Sequence, residues 1–265
     1  MNDIDFACTS CGKCCHDLRL LLTIDEAIAW LQRGGRVELL CDAIPWPVEP
    51  EPDNALAAHK RARSTPALSG ALPVRVTTLL TACYAGPCPN LRADMRCGIY
   101  DERPLVCRIY PAEINSFVEL SPEGKSCPPD AWQTTPLLRG GMIVDDVTRR
   151  DIERSRAANV AEAPLRAHVC AALGVATAAI ANEGFVIHAP APDALLAALN
   201  GVRAAPAAVE ADDAGAQWTL LSNRAATVDA LASTGAAAGL TASAVDDARA
   251  FRYLGFFPDA AAPVA

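Results

Sequence analysis

Four cysteines fall within eight residues near the start of this chain, at Cys8, Cys11, Cys14 and Cys15. Four more follow at loop-like spacings, at Cys88, Cys97, Cys107 and Cys127. Thiolates bind soft and borderline metals, so this set points to a metal ion or an iron–sulfur cluster. The spacing Cys-x2-Cys-x2-Cys places three sulfurs on one tight loop, and Gly12 supplies the backbone freedom such a loop needs. A further ligand must then come from far along the chain, and four candidates exist. Eight thiolates leave three arrangements open: one cluster plus a structural ion, two metal sites, or one site with spare redox-active thiols. Adjacent side chains diverge, which disfavours Cys14 and Cys15 binding the same tetrahedral ion. They serve two sites, or one binds and the other supports it. Cys8, Cys11 and Cys14 are therefore read as a local ligand set closed by the 88–127 segment.

A tetrathiolate centre is negatively charged, and Lys13, Arg92, Arg96, Arg103 and Arg108 sit beside candidate ligands, where they can offset that charge. His16 follows the knot directly and is a weaker ligand candidate. Cys83 lies outside the main spacing, and Cys41 and Cys170 read as packing residues. Cys11-Gly12-Lys13-Cys14 has the form of a thioredoxin-type pair. That reading requires a preceding strand and a following helix, and here the motif is buried in a denser cluster. Asp145-Asp146 read as a helix start rather than a catalytic pair. Tyr100 and Tyr110 could stack over the site or place a hydroxyl near a substrate, with core packing the preferred reading, and Arg103-Pro104 reads as a turn between ligands. No nucleophile–base pair and no cofactor-cradling loop stands out, so catalytic and substrate-binding residues stay unassigned.

The 265 residues suffice for a real core without disulfides. Eleven cysteines would also leave one unpaired in a disulfide framework. The net charge of −8 and pI near 5.0 argue against a broad nucleic-acid footprint. Aromatics make up only 5%, which argues against base-stacking platforms. The start, Met-Asn-Asp-Ile-Asp-Phe-Ala, shows no secretory pattern, and no apolar run reaches membrane-spanning length. The expectation is a cytoplasmic protein, with thiols kept reduced, without nucleic-acid or membrane partners.

The elements that must position these thiols change character along the chain. Ten of the eleven cysteines lie in residues 1–127. Residues 18–22, 36–40 and 72–80 read as strands. Thr23-Ile24-Asp25-Glu26 has the form of a capping box, starting a helix that stops at Gly34-Gly35. Prolines make 44–52 an extended loop. Further helices are expected over 147–161, 164–182, 192–200, 224–233 and 242–254. Residues 203–216 and 258–265 read as a linker and a frayed tail. The aromatic segment 251–257 is expected to dock on the core. The predicted class is α+β: an irregular cysteine-rich metal-binding module with short strands over 1–135, followed by a mainly helical, Ala-rich part over 136–265.

Three stretches together resemble a known family: Cys8-x2-Cys11-Gly12-x-Cys14-Cys15, Cys88-Pro89-Asn90-Leu91, and the run from Cys97 through Ile99-Tyr100, Arg103-Pro104 and Cys107-Arg108 to Tyr110-Pro111. They are similar to the YkgJ-type cysteine-cluster proteins, described as a zinc- or iron-chelating CxxCxxCC domain. The resemblance covers residues 8–130 and implies metal or iron–sulfur binding by the cysteines. The expected function is a protein carrying a cysteine-ligated iron–sulfur cluster, of 4Fe-4S type, or zinc, with a redox or modifying role on an unknown substrate. The alternatives are a non-catalytic structural zinc or interaction module, and metal chelation or delivery.

Overall fold

A computed structural model describes residues 3–115, 117–205, 215–241 and 251–257. In chain order the strands are β1 (Ile4–Asp5), β2 (Arg19–Leu22), β3 (Val37–Pro45), β4 (Thr65–Ser69), β5 (Leu72–Cys83), β6 (Pro136–Arg139), β7 (Met142–Ile143), β8 (Thr177–Ile180), β9 (Gly184–His188), β10 (Thr219–Ser222), β11 (Ala238–Leu240) and β12 (Phe251–Gly255). The α-helices are α1 (Ile24–Gln32), α2 (Ala55–Ala62), α3 (Leu105–Ile109), α4 (Asp146–Ala161), α5 (Ala163–Ala172), α6 (Pro192–Ala204) and α7 (Ala225–Ser233). The chain forms two compact units, one of residues 1–36 and 82–159, the other of 37–81 and 160–265.

The first unit is built from short pieces. Helix α1 starts at the capping box read from the sequence: Thr23 Oγ1 accepts from Glu26 N, and the Glu26 carboxylate accepts from Thr23 N. It buries Ile24, Ala27, Ile28, Trp30 and Leu31 on one face. Helix α3 has only five residues, too few to be stable alone, and is held by packing. Its Leu105 and Ile109 join Ala112, Leu137 and Ile152 in a core that Phe6 and Ile143 cover. Strands β1, β6 and β7 form a small antiparallel sheet beside it. Asp145 caps α4, accepting from Thr148 N at 2.7 Å, the helix-start role expected of it.

The second unit is organised by a twisted sheet in the order β11–β10–β8–β3–β5. Strands β3, β8, β10 and β11 run parallel to one another, paired in that order. Strand β9 pairs antiparallel with β3, β12 antiparallel with β9, and β4 forms a hairpin with β5. The first five residues of β3 are all buried, as a central strand requires. Helix α5 buries Val169 and Cys170, and α6 buries Leu195, Leu199 and Val202.

The expectation of a mainly helical carboxyl-terminal part is therefore corrected, although the α+β content stands. Within 164–182, the helix ends at Ala172, Gly174 takes φ +67°, and Thr177–Ile180 is strand β8. Ala178 and Ala179 suggest helix by propensity, but both are fully buried between β3 and β10. Packing in a sheet overrides a weak local preference. Residues 251–254, expected to end a helix, instead form most of β12, which lies along β9 with Phe251 opposite His188. The aromatic segment thus docks through strand pairing. The rest of the expected 242–254 helix, most of the 203–216 linker and the 258–265 tail lie outside the described residues. Among the described residues, no helix is long and apolar enough to cross a membrane.

Candidate metal centre

All eight cysteines singled out by spacing line one cavity of about 460 Å³ in the first unit. The knot residues Cys8, Cys11, Cys14 and Cys15 occupy an irregular loop between β1 and β2. Gly12 sits inside that loop with φ +70°, and a Cβ there would lie 2.5 Å from the Met95 carbonyl oxygen. Only glycine satisfies both demands. The backbone then ties the knot to its distant partners. Cys88 N donates to Cys15 O at 2.7 Å, and Asp17 N donates to Gly86 O at 2.8 Å. A bridge between Leu91 and Cys97 folds Cys97 back onto the Cys88 loop.

Cys107 rides on α3, whose first amide, Leu105 N, donates to the Glu26 carboxylate at 2.6 Å. Glu26 thus caps two helices at once. Cys127 is held from the other side: Ala7 N donates to Ala131 O at 2.8 Å, and Phe6 packs on Trp132 with ring centroids 5.0 Å apart.

The thiols perturb one another as closely placed groups must. The Cys14 thiol is lowered to about 6, chiefly by a hydrogen bond from Cys15, with Arg103 and His16 adding to it. Cys15, the donor, is pushed up by that bond and by burial. Burial raises Cys107 to about 12, with the charges of Cys88, Cys14 and Cys97 adding to it. Burial likewise raises Cys127 to about 11, while a hydrogen bond from Tyr110 opposes it. Tyr84 is raised by burial and by Cys88, to which its hydroxyl donates. Hydrogen bonds of this kind orient ligands and tune a bound metal.

Lys13, His16, Arg19, Arg103 and Lys125 also line the cavity, and no aspartate or glutamate does. The Arg103 guanidinium lies over the Tyr100 ring at 3.6 Å. Of the cations expected near the ligands, Lys13 and Arg103 reach the cavity wall, while Arg92, Arg96 and Arg108 do not. Arg108 turns to the Asp101 carbonyl and toward the buried Asp151 carboxylate, 3.8 Å away. Cys83 is not on the wall. Cys41 and Cys170 are fully buried in the second unit, with the Thr78 hydroxyl 3.9 and 3.5 Å from their sulfurs.

Trp30, Tyr84 and the second bond of Glu26 were not assigned a site role by sequence reasoning. Tyr110, for which the sequence prefers packing over a role at the site, stands beside Cys127. Only the capping spacing of Glu26 carried a local signal.

The donor set fits a thiophilic metal: eight soft sulfurs, cationic neighbours and no competing carboxylate on one wall. Among the described residues, no three cysteine, histidine or carboxylate side chains are yet drawn together as one ion would require.

A wall of thiols from separated loops has the make-up of a cysteine-cluster site. Residues 7–128 match the CxxCxxCC family model, whose description is "Putative zinc- or iron-chelating domain". No curated protein and no solved structure matches the chain.

Proposed function

We propose that Cys8, Cys11, Cys14, Cys15, Cys88, Cys97, Cys107 and Cys127 are metal ligands and that they hold iron as an iron–sulfur centre of 4Fe-4S type. The observation that carries this reading is the single cavity lined by all eight thiols, twice the number that one tetrahedral ion takes. Such a centre, when bound, supplies one-electron redox chemistry. The chain's own residues do the rest. Lys13 and Arg103 offset the negative charge of the thiolates. Tyr84 and Tyr110 donate hydrogen bonds to Cys88 and Cys127. Trp30, Leu20 and Val106 give the cavity an apolar side that excludes water, as a redox or modifying enzyme's site would need.

A structural zinc reading is favoured by a different observation. The first unit rests on two-residue strands and a five-residue helix, elements too short to hold the knot unaided. Metal binding supplies folding free energy to domains of that kind.

Anaerobic purification, followed by absorption, EPR and metal analysis, separates the two. The iron–sulfur reading expects brown protein with iron and acid-labile sulfide. A colourless protein holding stoichiometric zinc selects the structural reading. Protein with neither metal rejects both.

A further inference from the structure

We infer that the eight thiols form two four-cysteine centres within the one cavity, Cys8/Cys11/Cys14/Cys127 and Cys15/Cys88/Cys97/Cys107. The inference rests on the metal-binding reading above and adds how the ligands divide.

Three features of the fold bear on the division, and the backbone connection carries it. The first is backbone connection. Cys88 is bonded to Cys15 through N–H···O at 2.7 Å, and the Leu91–Cys97 bridge brings Cys97 to that same loop. The Cys127 segment instead joins the chain just before Cys8, through Ala7 N to Ala131 O and the Phe6–Trp132 contact. The second is which sulfurs are neighbours. Cys127 has Cys14, Cys11 and Cys8 as its charged thiol neighbours, while Cys15 has Cys14, Cys88 and Cys107. Cys107 in turn has Cys88, Cys14 and Cys97. Cys14 borders both groups, and its place in Cys-x2-Cys-x2-Cys assigns it to the first.

The third feature is the tyrosines. Each set has one hydroxyl donor, Tyr110 at Cys127 and Tyr84 at Cys88. Hydrogen bonds of this kind orient a ligand and tune its metal, and here they fall one to each set. The adjacent pair Cys14-Cys15 is then the junction, with one residue serving each side.

The test uses the full chain, purified anaerobically, in three forms: unaltered, Cys11→Ser with Cys127→Ser, and Cys97→Ser with Cys107→Ser. Metal per chain is measured together with circular dichroism. Two centres predict that each double variant keeps half the metal of the unaltered chain. A folded variant that loses all its metal, or keeps all of it, overturns the division.

Because a double variant can fail to fold, a second measurement uses the unaltered protein. Metal is withdrawn with graded chelator, and the exposed thiols are alkylated and located by mass spectrometry. The expectation is two steps, each exposing one of the named sets. All eight exposed in one step, or Cys15 exposed with Cys8, overturns the division while leaving metal binding intact. Unaltered protein that holds no metal defeats the underlying reading itself, and the division falls with it.

Discussion

Asp42 shows how one side chain can oppose the fold that contains it. It lies on the central strand β3, and burial raises its carboxyl to about 6, with the Thr77 hydroxyl and the Lys60 charge opposing the shift. A carboxyl whose folded value exceeds its unfolded value binds its proton more tightly when folded. Stability is then highest below pH 4 and falls as pH rises through the window from about 4 to 6. At neutral pH the burden is roughly 3 kcal/mol by the usual conversion of pKa to free energy. We therefore expect Asp42→Asn to raise the melting temperature at pH 7.5, with the gain vanishing near pH 4. An unchanged melting temperature at pH 7.5 would contradict this. At this scale the thiols were legible because cysteine declares its chemistry by type and spacing. Tyr84 and Tyr110 were not, since a tyrosine's hydrogen-bond partner depends on contacts far apart in the chain.

Glu26 matters at the scale of elements. Its carboxylate closes the capping box of α1 and also accepts the Leu105 amide that opens α3. Removing it leaves orphaned amides at two helix starts, a loss of roughly 1–3 kcal/mol. Glu26→Ala should lower the melting temperature. Because α3 carries Cys107, it should also lower metal content, with Glu26→Gln intermediate in both. Full metal content in a destabilised Glu26→Ala protein would show that α3 does not depend on this anchor. The capping box was readable because its two partners are three residues apart. The bond to Leu105 was not, and neither was β8, where sheet burial prevailed over the helical preference of its alanines. The helices α6 and α7, by contrast, carry their apolar residues at helical spacing and appear where the sequence places them.

The whole molecule separates thiols by task. Eight share one cavity, whereas Cys41 and Cys170 are sealed in the second unit's core beside Thr78. Cys170→Ser places a more polar group there and should cost roughly 1–3 kcal/mol. Metal per chain should not change, and a clear loss of metal in a folded Cys170→Ser protein would contradict the division of labour. Composition showed where cysteines concentrate, but not that residues 37–81 leave the first unit and join the second. Periodicity reports local structure and is silent on which distant strands will pair. That detour has a consequence for biosynthesis. The knot thiols leave the ribosome well before Cys127, and translation at 5–20 residues per second makes the interval on the order of ten seconds. Until Cys107 emerges the nascent chain carries bare thiols with no completed partner set, so on the proposed metal-binding reading loading waits for the later cysteines and competes with oxidation or capture by the wrong metal.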